Sequence, residues 1–455
     1  MRQALATIVA VIALLASSFS IATAGSRQVG INVLLKRDVT NAILADLATH
    51  GRILNVVRRI DAVTIKAPKS ELKAIRAERY VKAASLDAKR IGKPVPLSPF
   101  EDNAAGLATW DLDAINVANT VGAGRTIAQD GSGVYIGVLD TGLLSSWPFY
   151  FPADRIDTVH ARSFGGGGGD VGTVSSQPNK WQTDQNSHGT HVTSTILGYN
   201  LLGTPVNGVA PLATVIPVKV LGNGGFGWSS VVARGITYVA DLKAGPLAGH
   251  PVVINMSLGG PELDAMEQAA IDYAIAQGVI IVASAGNEGE AGMGYPGAYP
   301  PVISAASSGW VGEWTPAGNR AWWWNQSITD PTAAADFYIS DFSSRQLAGQ
   351  DLDVAAPGSW VVGPYQVNSQ ISYFFVGGTS MASPHVAGTV ALMAQKNNGL
   401  TAAQAESIIT STAVPMPPGC ADVAQPVGPP VHECWGADAT GAGLLVADAA
   451  VAATP

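Results

Sequence analysis

Four apolar runs constrain this chain most: VYIGVLD (134–140), TVIPVKVL (214–221), VVINMSL (252–258) and VIIVASAG (279–286). None alternates apolar with polar residues, so each reads as a strand covered on both faces. Helical stretches separate them, among them SSVVARGITYVADLKAG and ELDAMEQAAIDYAIAQG. This alternation predicts an α/β fold, a parallel sheet with helices on both faces. Functional residues in such sheets gather at the carboxyl ends of the strands. With 455 residues, 47% of them hydrophobic, the chain is long enough for one large core or two domains.

The first hundred residues read differently. Arg2, an apolar run from Ala4 to Ala16 and the small-residue end Ala22-Thr23-Ala24 make residues 1–24 a secretory signal peptide, which predicts an extracellular product. No later stretch approaches the roughly 18 apolar residues of a spanning helix, so no membrane association is expected. Residues 29–87 alternate extended and helical patterns: GINVLLK, VTNAILADLATHG, ILNVVRRIDAVTIKAP, KSELKAIRAE and RYVKAASLD. They predict a small α/β domain, with ILNVVRRIDAVTIKAP as one strand-like segment. The Pro-rich IGKPVPLSPFEDNAAG then reads as a linker.

Charge divides along the same line. Residues 25–93 carry 15 Lys and Arg against 6 Asp and Glu, whereas the whole chain has a formal net charge of −8. A basic segment ahead of an acidic body predicts two parts that attract each other. The acidic body argues against nucleic acid as a partner. Cys420 and Cys434, the only cysteines, lie in one Pro/Gly-rich stretch of an exported chain and predict a local disulfide.

Three residues carry candidate chemistry. Asp140 closes VYIGVLD, His188 begins a helix in NSHGTHV, and Ser380 opens another in GGTSMASPHVAG. Each alone has a plain reading, as a turn residue, a packed histidine or a helix cap. Together they supply a carboxylate, an imidazole and a hydroxyl at strand or helix ends. A helix N-terminus also offers N–H groups to a developing anion. His188 and His191 share a helix face, but no Asp or Glu occurs between His188 and Asp241, so a zinc site lacks further local ligands.

VLDTG, HGTHV, NMSLGG, ASAGNEG and GGTSMASPHVAG, in this order, resemble the signature blocks of the subtilisin-like serine peptidases. The likeness spans most of residues 108–450, including WDLDAINV and GAGLLVADAAV. Residues 29–87 are similar in pattern to that family's inhibitory propeptide. The resemblance implies Ser380 as nucleophile, His188 as general base and Asp140 as its orienting carboxylate. It implies an oxyanion site of the Asn287 amide and the Ser380 N–H. His191 and His385 are then structural.

The same resemblance makes LGNGGFGW (221–228), with Gly224, Gly225 and Trp228, one wall of a peptide cleft. The other wall is Ser257–Gly260, with Ser257, Leu258 and Gly259, and a substrate would add itself between them as a strand. Gly294 would floor the pocket for the residue before the cut, predicting a preference for large apolar side chains. No organic cofactor is implied. A structural calcium is left open at LGYNLLGTPVNGVAP (197–211), where Asn200 or Asn207 oxygens are candidates but a carboxylate must come from elsewhere.

Two stretches depart from the family pattern. Extra sequence containing GGGGGD lies between Asp140 and His188. Residues 309–338 hold Trp310, Trp314, Trp322, Trp323 and Trp324, which read either as a hydrophobic or glycan-binding surface or as a satellite core, the habit of large aromatics favouring the core. The expected organisation is a signal peptide (1–24), an inhibitory propeptide that also aids folding (25–93), a processing linker (94–108) and a catalytic domain (109–455) acting on proteins or peptides. The rival reading is a non-catalytic secreted binding protein on the same scaffold, and a serine esterase lacks its Gly-x-Ser-x-Gly elbow around Ser380.

Overall fold

The computed structural model describes residues 28–95, 97–99, 108–119, 124–165, 174–314, 328–366 and 370–455. The signal-peptide stretch, most of the glycine run, and Trp322, Trp323 and Trp324 lie outside them.

The four apolar runs form neighbouring strands at the centre of one sheet. Among the described residues its order is Phe337–Ile339, Ile303–Trp310, Val279–Ser284, Val252–Met256, Tyr135–Asp140, Thr214–Lys219, Arg162–Gly165 and Val174–Gln177. Val354–Pro357 also pairs with Ile303–Trp310. The inner pairings are parallel, and the two ends of this path, Phe337–Ile339 and Val174–Gln177, run antiparallel. The register sets Lys219 beside Asp140 and Met256 beside Ala283, so the carboxyl ends align along one edge. The sequence between Asp140 and His188 contributes Arg162–Gly165 and Val174–Gln177 to that sheet.

Helices cover both faces. Ser229–Ala244 and Ala265–Ala276 share a core with one side of the sheet, and His188–Leu197 and Thr379–Lys396 pack into the other. Thr379–Lys396 is buried from Thr379 to Ala394, as expected for a helix whose polar residues are mostly small. Each fully buried Val or Ile side chain in these layers contributes about 1.5–3 kcal/mol. Among the described residues no helix is long and apolar enough to cross a membrane.

Residues 28–86 form a separate antiparallel sheet in the order Arg52–Val57, Ala62–Pro68, Gln28–Leu35, Val81–Leu86. Its core of Ile31, Val33, Leu47, Ile65 and Ile75 lies under the helices Asn41–His50 and Glu71–Ala77. The segment ILNVVRRIDAVTIKAP is two strands, not the single strand read from its pattern. A short turn at Arg58–Ile60 and Asp61 at φ 49° reverse it, and aspartate tolerates that left-handed conformation. Leu34, Val57 and Ala62 pack into the body's core beside Ala265–Ala276. The ion pairs Arg59–Asp241 and Arg90–Glu267 join the two parts.

The Pro-rich connector is also more than a linker. Lys89–Ile91 pairs with Phe226–Trp228, and Leu97–Pro99 pairs with Tyr373–Val376. Cys420 and Cys434 are disulfide-bonded across the hairpin Gly419–Val423/Val431–Trp435.

Candidate active site

Asp140 ends its strand fully buried, and His188 opens its helix fully buried beside it. The His188 Nδ1 lies 2.9 and 3.0 Å from the two Asp140 oxygens, so it carries the proton and donates to the carboxylate. Nε2 is then the basic nitrogen. It is buried and meets no hydrogen-bond partner among the described residues. Ser187, just before the helix, sits at φ 74°. Its N–H donates to Asp184, and its hydroxyl accepts from Gln366 N–H, contacts that hold this uncommon conformation.

Ser380 occupies the first turn of Thr379–Lys396, behind Gly378 at φ 145°. Its hydroxyl donates to Ser257 O at 3.3 Å. Pro384 lies inside the helix and has no N–H to give to the Ser380 carbonyl four residues back. The Ser257 hydroxyl replaces that donor at 2.7 Å, tying the cleft wall to the helix start. A Cβ built on Gly378 would lie 3.5 Å from Asn287 Nδ2 and 3.7 Å from Ser380 N. Both donors therefore border one small space that glycine leaves open.

The two stretches read as cleft walls flank the chain's own residues 89–95. Ile91 exchanges both backbone hydrogen bonds with Gly259, at 2.9 and 3.0 Å. Gly92 N–H donates to Gly225 O at 3.0 Å and Val95 N–H to Gly377 O at 2.6 Å. Trp228 faces Lys89 in the pairing, and Gly224 packs against the Phe226 ring. A Cβ on Gly92 would lie 2.9 Å from Ser257 O and 3.3 Å from His188 Cε1. Peptide backbone thus crosses directly over the buried histidine. Leu258 is buried behind the wall, and Gly260 and Tyr295 pair to bring Gly294 alongside, its Cβ position 3.2 Å from Gly260 N.

The remaining candidates separate cleanly. Burial, then His188, pushes His191 down to about 3, so it is neutral and its Nε2–H donates to Val361 O. His385 is held between Met381 O and the Asp111 carboxylate. Asn200 spends its Oδ1 on Gly203 N–H and its amide on Phe149 O, closing the turn of a small hairpin. Residues 197–211 themselves contain no Asp or Glu. These residues alone, without a carboxylate from another segment, do not complete a calcium site. Trp310 and Trp314 are buried in the main core, with Trp314 against Trp360 and Phe375 at ring distances of 5.6 and 4.8 Å.

Sequence reasoning passed over Thr141 and Asp184. The Thr141 hydroxyl donates to Asp184 and accepts from Gly189 N–H, bracing the start of the His188 helix. Burial pushes Asp184 up to about 6 against the pull of the nearby Lys219 ammonium. The Thr-Gly after Asp140 was a visible signal for Thr141. Asp184 had none.

These features meet a consistent set of relatives. The model of the Subtilase family matches residues 131–442. Subtilisin DY of Bacillus licheniformis is 34% identical over 287 residues, 62% of this chain and 84% of that protein. Thermitase of Thermoactinomyces vulgaris is 34% identical over 284 residues, 62% of this chain and 82% of that protein. The solved structure of Sphericase is similar with a TM-score of 0.55 and 28% identity, over 76% of this chain and 99% of that one. Fervidolysin from Fervidobacterium pennivorans, a keratinolytic enzyme related to subtilisin, shares the fold with a TM-score of 0.66 at 21% identity. That match covers 94% of this chain, which spans 62% of fervidolysin's length. The chain belongs to the subtilase family and is a subtilisin-like serine endopeptidase.

Proposed function

We propose that Ser380 is the nucleophile, His188 the general base and Asp140 the carboxylate that fixes its tautomer. Ser380 Oγ turns from Ser257 O to His188 Nε2, gives up its proton and attacks the peptide carbonyl. The oxyanion develops in the space bordered by Asn287 Nδ2 and Ser380 N–H. His188 then returns the proton to the leaving amine, and water completes hydrolysis by the reverse steps. The observation that carries this reading is the strand 89–95, which lies in the cleft as a substrate would and passes over His188.

In this reading the protein is exported and made as an inactive precursor. Residues 25–93 inhibit it by filling the cleft and support folding by covering Ala265–Ala276. The pocket beside Gly294 takes a large apolar side chain before the cut. Glu288, a carboxylate close to that pocket in sequence, is turned back onto Asn287 N–H and the Ser344 hydroxyl. The test is the Ser380→Ala chain, expected to fold, to remain unprocessed and to leave casein intact. Normal processing and undiminished casein hydrolysis would overturn the proposal.

A further inference from the structure

Arg90 is an arginine buried completely in the cleft wall. Its guanidinium lies against Glu267, with side-chain exposures of 0% and 2%. Nε donates to the two Glu267 oxygens at 3.1 and 3.2 Å, and Nη2 donates to Glu267 and to Glu262 O. Nη1 donates to Lys89 O at 3.0 Å. Gly260 makes room, because a Cβ there would lie 3.2 Å from Nη1. The pocket is thus built around a planar, forked cation.

The strand's register says which substrate position this pocket serves. Arg90 pairs with Gly227, Ile91 with Gly259, Gly92 lies over His188, and Val95 is anchored on Gly377. Lys93 and Pro94 lie between the last two anchors; setting the cut position at the middle bond, Lys93–Pro94, makes Lys93 the residue before it and Arg90 the fourth. The Lys93 ammonium lies 4.0 Å over the Phe226 ring, on the wall formed by Phe226–Trp228.

Resting on the peptidase reading above, we infer that Glu267 makes the subsite for the fourth residue before the cut selective for arginine in substrates. Glu267 sits on the helix Ala265–Ala276 of the body, so the carboxylate stays when residues 28–93 leave. It then faces the cleft without its guanidinium. A substrate arginine restores the charge-assisted bonds, whereas a leucine leaves a carboxylate beside apolar carbon. Lysine, with one nitrogen, reproduces only part of the set.

The test digests a proteome-derived peptide library with enzyme purified after expression of the full chain, and maps the cuts by mass spectrometry. Arginine should be enriched at the fourth position before the cut, and on matched peptides Arg there should exceed Leu by about 10–100-fold in kcat/KM. Glu267→Gln should collapse that ratio while the preference at the residue adjoining the cut is unchanged. Should this variant fail to fold, the wild-type profile alone decides. Apolar enrichment at the fourth position, or arginine enrichment that survives Glu267→Gln, overturns the inference and leaves the peptidase reading standing. No cuts anywhere in the library would sink both.

Discussion

Asn287 Oδ1 accepts hydrogen bonds from both the Thr379 N–H, at 2.9 Å, and the Thr379 hydroxyl, at 3.0 Å. This double anchor commits the oxygen of the amide to Thr379 and leaves Nδ2 as the end able to donate. Asn287→Ala should lower kcat by about 10²–10³-fold, the range that loss of one such donor costs in subtilisin. KM should change little, since the donor acts mainly once negative charge develops. A KM effect with kcat preserved would mean that Asn287 only binds substrate.

The Asp140–His188 pair gives a second prediction. Asp140→Asn offers an amide to Nδ1 and so favours the wrong tautomer, with the proton on Nε2. An amide and a carboxylate fill nearly the same space, so the fold should persist. We expect kcat to fall by up to about 10⁴-fold, with part of it recovered at higher pH. Steady-state kinetics of the purified variant checks this, and a loss under tenfold would deny Asp140 its orienting role.

The pocket beside Gly294 is tested with matched peptides ending in Phe, Leu, Lys and Arg before the scissile bond. Burying a Leu- or Phe-sized group gains about 1.5–3 kcal/mol, while an unpaired buried charge is penalised. The apolar pair should win in kcat/KM. Gly294→Val should cut the Phe peptide hardest, because its Cβ would sit 3.2 Å from Gly260 N. Preference for the basic pair would refute the pocket while leaving Ser380 in place.

Away from the cleft, Asp353 gives a pH prediction. Burial, reinforced by the Glu406 and Asp351 carboxylates, pushes it up to about 7 from an ordinary 3.8. The native state therefore holds a proton here that the unfolded chain releases between those values. This group's contribution to stability is greatest below about pH 4 and is lost as pH rises to about 7. Asp353→Asn keeps an acceptor for Ser304 N–H and the Ser304 hydroxyl but has no proton to lose. Relative to its parent, the variant should gain on the order of 1–3 kcal/mol between pH 4.5 and 7.5. Urea unfolding in a Ser380→Ala background measures it without self-digestion, and a flat difference contradicts the assignment.

Much of the fold was legible because strands buried on both faces leave uninterrupted apolar runs and helices separate them. The blocks that hold Asp140, His188, Asn287 and Ser380 stand out in the sequence because their flanking residues also have structural work. Gly378 leaves space beside Asn287 and the Ser380 N–H, and Thr379 anchors Asn287. The hairpin at Asp61 was missed because RRID, with no glycine, hides a left-handed turn. The passage of residues 89–95 through the cleft was missed because prolines read locally as a linker, while the partners that extend this segment lie more than a hundred residues downstream. Arg90 and Glu267, 177 positions apart, are joined only by the fold.

The most direct test of the central claim is labelling of the purified enzyme with a fluorophosphonate, followed by peptide mapping. The reagent needs a nucleophilic serine activated by a neighbouring base, the state proposed above for Ser380 with His188. A single stoichiometric adduct on Ser380 is expected, with peptide hydrolysis lost in parallel and labelling abolished in His188→Ala. An adduct on another serine, or full activity with Ser380 modified, would contradict it.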